Sequence, residues 1–128
     1  MSTPITTPPD DERPLALVRA EEGTDAWSDV ARYQRWATPD HADFYALAGE
    51  LTSTLHAFED LTGVLVGQVA GYATGRHVYD DTRTVDPPAR LADAVAQLRQ
   101  ARTGLRTAAT AVNEFWSAIG HIGIEAQP

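Results

Sequence analysis

Two long stretches of this chain carry apolar residues at a sevenfold interval. In the first, Phe44, Leu51, Phe58, Leu65 and Tyr72 recur every seven positions, with Leu47, Leu55, Leu61 and Val69 filling the intervening turns. In the second, Leu91, Leu98, Leu105, Val112 and Ile119 repeat at the same interval, with Ala94, Ala101, Ala108 and Phe115 between them. Spacing of this kind puts the apolar side chains on one stripe of a helix and predicts two long amphipathic helices. The first opens at Thr38-Pro39-Asp40, with a hydroxyl cap, proline at the first helical position and acids in the first turn. The second opens near Asp86-Pro87-Pro88 and stops at Gly120.

Each helix is expected to be about 50 Å long at 1.5 Å per residue, and the matched lengths predict a hairpin that returns along itself. Layers pairing Tyr72 with Leu91, Leu65 with Leu98, Phe58 with Leu105, Leu51 with Val112 and Phe44 with Ile119 set a midpoint between Asp81 and Thr82. That midpoint falls inside the expected loop, Gly75 to Val85, so pattern and loop position agree.

Upstream the pattern is weaker. Residues 1–13, rich in Thr, Pro and Asp, are expected to be a disordered tail. Residues 14–22 read as a short helix or an extended piece, with the short helix favoured and Gly23 as its break. Residues 25–37 place Trp27, Val30, Ala31 and Gln34 at helical spacing and predict a modest amphipathic helix. The expected fold is all-α: a long antiparallel helical hairpin, with the shorter N-terminal helix packed at its open end and a bundle completed by dimerisation. It forms one helical domain over 14–122, with helices near 25–37, 38–73 and 88–119 and a tail over 123–128. A two-helix hairpin cannot cover both sides of long apolar seams, which is why a further helix or a second copy is required.

Composition narrows the chemistry. The 128 residues include no Cys and no Lys, which removes disulfides, thiolate ligands, cysteine nucleophiles, Schiff-base chemistry and a phosphate-loop lysine. Residues 1–64 hold twelve acids against four Arg, and the remainder holds six of each. An acidic front and a neutral back do not suit phosphate backbones, so the expected partner is a protein, either a second copy or another chain, and not nucleic acid. A small-molecule ligand has no positive support. No apolar run approaches the length of a membrane span and no secretory signal is evident, so the expected compartment is the cytoplasm.

Gly63, Gly67, Gly71 and Gly75 stand four apart, each costing about 1 kcal/mol against Ala inside a helix, which predicts a ridge where another backbone approaches. Thr103, Gly104, Thr107 and Thr110, with Gln97, Gln100 and Ala111, leave the back of the last helix short of charge. Together the glycines and these residues form the expected interaction face. Arg99, Arg102 and Arg106 share one flank and are read as partners for Glu59 and Asp60.

Seven of the ten aromatics (Trp27, Tyr33, Trp36, Phe44, Tyr45, Phe115 and Trp116) are expected near the open end of the hairpin. With His41, Glu114 and His121, five of them (Trp27, Trp36, Phe44, Tyr45 and Trp116) form a candidate pocket, against the plainer reading of an aromatic core. Glu114 and His121 are two turns apart, about 10.5 Å along the axis, too far to share one metal, and no metal or cofactor is expected. His77, Tyr79, Asp80 and Asp81 read as solvated loop residues. No catalytic motif is present. The function expected is a non-enzymatic, homodimeric interaction or scaffold module. The alternatives are a ligand-binding or enzymatic bundle using the aromatic end, and a secreted or membrane-associated hairpin.

Overall fold

The computed structural model describes residues 12–126, and these are helical with no strand. Three helices follow in order: α1 (Leu15–Trp36), α2 (His41–Ala70) and α3 (Pro87–Ile119). The chain divides after Pro39 into two compact units, the first holding α1 and the second holding α2 and α3. Residues 1–11 of the expected N-terminal tail and residues 127–128 of the C-terminal one lie outside the described residues.

In the first unit, the short helix expected over 14–22 and the helix expected over 25–37 are one element, α1, which runs without the expected break through Gly23. Pro14 stands at its N-cap, and the Pro14 carbonyl accepts from the amides of Leu17 and Val18. Gly23 costs about 1 kcal/mol, but it is flanked on both sides by helix-forming residues, and one glycine does not end a helix that continues for three further turns. Thr24 donates its hydroxyl to the Ala20 carbonyl across that point, and Arg19 pairs with Glu22 beside it. Val18 is buried, Trp27, Val30 and Gln34 are half-buried, and Tyr33 and Trp36 are exposed.

In the second unit, α2 and α3 pack against each other as the antiparallel hairpin that the sevenfold pattern predicts. α2 starts at His41, not at 38. Thr38-Pro39-Asp40 lies just outside the helix, Asp40 caps it in extended backbone with no side-chain bond, and its carbonyl accepts from the Phe44 amide. α2 ends at Ala70, three residues short of expectation, because Gly71 takes the cap and Gly75 adopts a left-handed backbone with φ 73°. α3 begins at Pro87, where the missing amide costs nothing, and stops at Gly120 as expected.

The alignment of the two helices agrees with the expected layers to within one turn. Glu59 meets Arg106, a Cβ at Gly63 would meet Arg102, one at Gly49 would meet Trp116, and one at Gly120 would meet Tyr45. These four contacts share a midpoint between Thr82 and Arg83.

The rotation of α2 differs from expectation, whereas in α3 the expected row Leu91, Leu98, Leu105, Val112 and Ile119 is half-buried beside the seam. The seam between α2 and α3 is lined by small residues: Ala48, Thr52 and Thr62 from α2, Val95 and Ala109 from α3, all buried. Ala48 is wholly inaccessible. Small side chains at the crossing let two helix axes approach closely. The large row Leu51, Phe58 and Tyr72, expected to zip inward, is instead exposed, as is Leu61, with 39% to 50% of their surface open. Sevenfold spacing establishes that a row lies on one stripe, but two neighbouring stripes of α2 share that spacing, and the one that packs most closely takes the seam.

Candidate interaction surface

The displaced row gives the hairpin two unlike broad faces. At about 100° per residue, Leu47, Leu51, Thr54, Phe58, Leu61, Leu65 and Gln68 form one stripe of α2, roughly a quarter turn from its seam, with Tyr72 in the turn beyond it. In α3 the row Ala94, Ala101, Ala108 and Phe115 is displaced in the same sense, next to the half-buried seam residues Leu98, Leu105 and Val112. Both displacements run against the winding of their own helix. Reversing one helix end for end brings the two to the same side, so both rows share one broad face. Leu98, Leu105, Ala108 and Val112 are half-buried there, while Ala94, Ala101 and Phe115 are exposed.

The opposite broad face is polar. Arg106 donates from Nε to the Glu59 carboxylate, and that bond holds the Glu59 carboxyl below its usual pKa while burial works against it. An open groove of about 470 Å³ runs beside the pair, lined among others by Thr52, His56, Thr110 and Asn113.

The residues expected to form the interaction face are not equivalent. Gly63 faces its own hairpin: a Cβ there would stand 3.2 Å from Arg102 Cζ. A Cβ at Gly67 or Gly104 would meet nothing within 4 Å. Gly71 is the α2 cap and Gly75 belongs to the turn beyond it, so the fourfold ridge is helical only in part. Thr103, Thr107 and Thr110 each donate their hydroxyl back to the carbonyl four residues earlier, at 3.1 to 3.2 Å, and so turn a satisfied group outward.

Of the candidate pocket, Trp27 and Trp36 belong to α1 and its unit. In the hairpin, the Tyr45 and Trp116 rings meet at a 5.5 Å centroid separation and tilt by 50°, an aromatic contact of the packing kind. Trp116 also covers the bare backbone of Gly49. Phe44 is half-buried, while Glu114 and His121 are exposed. His41 Nδ1 stands 3.6 Å from Asp40 Oδ1, too far for a hydrogen bond. Among the described residues no group of three His, Asp or Glu is gathered to hold a metal ion.

The loop end holds a construction that the sequence reading treated as solvated. Asp80 is buried, its side chain 4% exposed. Its carboxylate accepts from the Thr82 hydroxyl and amide on one oxygen and from Arg90 Nε at 2.8 Å on the other. The Thr82 hydroxyl, then Arg90, hold the Asp80 carboxyl down at about 2, with burial opposing. The turn closes as the Arg83 amide donates to the Asp80 carbonyl at 2.9 Å, with Arg83 in left-handed backbone at φ 60°. Arg83 lies over the Tyr79 ring and Arg76 over Tyr72. The local signal was Asp80-x-Thr82-x-Thr84, a side-chain-capped turn, whereas Arg90 as its anchor is ten residues away. A concavity of about 520 Å³ adjoins it, lined among others by Tyr72, His77 and Leu91. Neither this concavity nor the polar groove includes a residue of the aromatic end.

Compared with known protein families, curated proteins and solved structures, the chain matches none of them significantly.

Proposed function

We propose that this chain is a non-enzymatic helical interaction module whose hairpin pairs with a second copy through its apolar broad face. One observation carries the reading: three large side chains of α2, Leu51, Phe58 and Leu61, recur at helical spacing along one face and are 39% to 50% exposed, and Tyr72, in the turn just beyond the helix, is equally open. A helical row of that length serves burial, and an apolar patch that size on a soluble surface marks a contact. Pairing two such faces completes a four-helix arrangement around the hairpin. The face opposite, with its ion pair and self-satisfied threonines, has the chemistry of a surface that stays wet. The glycine positions of α2 lie toward that polar side, so the contact surface in this reading is the large apolar row and not the ridge. No helix among the described residues is long and apolar enough to cross a membrane, which favours a protein partner over a spanning role.

Light scattering on the purified full chain tests the reading. The wild type is expected at twice the 13.9 kDa subunit mass, and Phe58→Glu and Leu61→Glu are each expected to return it to a single subunit with unchanged helical circular dichroism. Both positions are already half open to solvent in one copy, so a charge there is tolerated by the hairpin and not by the contact. A wild type that scatters as one subunit at every concentration would remove the reading.

A further inference from the structure

Charge along the hairpin is unevenly spread, and the unevenness bears on how two copies are oriented. The open end, up to Glu50 on α2 and from Thr110 onward, carries Asp40, Asp43, Glu50, Glu114 and Glu125 and no Arg. All six Arg of the hairpin unit lie between its midpoint and its tip: Arg99, Arg102 and Arg106 in the middle, and Arg76, Arg83 and Arg90 toward the loop. The loop end balances its three Arg with Asp80, Asp81, Asp86 and Asp93 and is close to neutral.

We infer that the two copies of the proposed dimer lie head to tail, the open end of each against the loop end of the other, about a twofold axis passing between Phe58 and Leu61. The inference rests on the dimer reading and adds its geometry. Side by side with tips together, the pair sets five acids of one open end against five of the other, with no basic residue there to offset them. Head to tail, each acidic end runs beside the other copy's arginines. Like-charge juxtaposition of this kind decides orientation even where rim charges add little affinity.

The apolar row admits the same axis, as it admits the parallel one, so charge decides between them. Within α2 its positions 51, 54, 58, 61, 65 and 68 are separated by alternating steps of three and four, and the order reads identically from either end. A twofold contact is self-complementary, and reversal of this row about its centre places side chains against side chains in every turn. Leu51 of one copy then falls level with Gln68 of the other, and Phe58 with Leu61. Asp43 of one copy then lies toward the loop end of the other, where Arg76, Arg83 and Arg90 gather. The face, two helices wide and about 32 Å long over the helical row, offers about 600 Å² from each copy, at the lower end of stable interfaces.

The test uses the full chain, which has no native Cys, with a single spin label at Ala89→Cys. Ala89 is exposed in the first turn of α3 and points away from the apolar rows. Head to tail, the two labels are expected about 50 Å apart along the axis, and labels at Ser117→Cys about 35 Å apart. Dipolar distances near these values, in a species of dimer mass, support the inference. Dimer mass with both label pairs within about 25 Å overturns it and leaves the dimer reading standing. Single-subunit mass overturns both, and a larger assembly overturns the twofold dimer.

Discussion

The guanidinium of Arg102 on α3 rests against the bare backbone of Gly63 on α2, its Cζ 3.2 Å from where a Cβ would stand. Four residues on, Gly67 has no such neighbour. Replacing a helical Gly by Ala gains about 1 kcal/mol from propensity alone. Gly67→Ala is therefore expected to raise the stability of the chain by about that amount in urea denaturation. Gly63→Ala is expected to gain less, since Arg102 must shift by a few tenths of an ångström to admit the methyl group. Equal gains at both positions would mean that the Arg102 contact does not constrain Gly63. Gly67→Ala should also leave the dimer mass unchanged, whereas a contact made through the glycines would be weakened by it.

Ala48 sits wholly buried on the stripe by which α2 packs against α3. Ala48→Leu adds apolar surface and a better-packed residue by any transfer scale, yet it has no room to enter. Overpacking of this kind costs about 1–3 kcal/mol, and the loss should appear as a lower urea midpoint with an unchanged slope. If the variant were as stable as the wild type, the helices would be farther apart than the small-residue seam requires.

The all-helical hairpin was legible from Phe44 to Tyr72 and from Leu91 to Ile119 because spacing, proline starts and Gly120 all pointed the same way. Rotation about the helix axis was not. Ala48-x-x-x-Thr52 and Leu47-x-x-x-Leu51 differ by one position, and choosing which of them faces α3 depends on how closely two backbones can approach, a property of the pair and not of either helix. Gly63 illustrates the consequence for the candidate site: its lack of a side chain is used by Arg102, a residue 39 positions away. The ion-pair reading of Arg106 with Glu59 needed only approximate alignment and was visible in advance. At the tip, the Asp80-x-Thr82 turn was readable locally, but the burial of Asp80 depends on Arg90 arriving from the start of α3.

The division into unlike faces makes a control possible. Glu59 and Arg106 lie on the polar side. The double substitution Glu59→Gln with Arg106→Gln removes their ion pair without touching Leu51, Phe58, Leu61 or Tyr72. Exposed ion pairs contribute little to stability, so the melting temperature is expected to fall only slightly, and the scattering mass should be that of the wild type. Dissociation caused by this pair of substitutions would place the contact on the polar face and contradict the assignment of the apolar one.

Asp80 gives the fold a pH signature. Its carboxyl titrates at about 2 in the folded chain because the Thr82 hydroxyl and Arg90 stabilise the charged form. In the unfolded chain it returns to about 3.9. A group whose folded pKa is depressed contributes stability above its unfolded pKa and loses it as pH falls through the folded one. Asp80→Asn keeps the shape of the side chain but not its charge, and the amide cannot hold Arg90 as an ion pair. The wild type should therefore melt higher than Asp80→Asn by a constant margin from neutral pH down to about 4. The margin should narrow below that and vanish near pH 2, while the other carboxylates, common to both chains, cancel in the difference. Thermal melts of the two proteins across this range decide the matter. A margin that persisted undiminished at pH 2 would mean that the Asp80 charge does not hold the turn to Arg90.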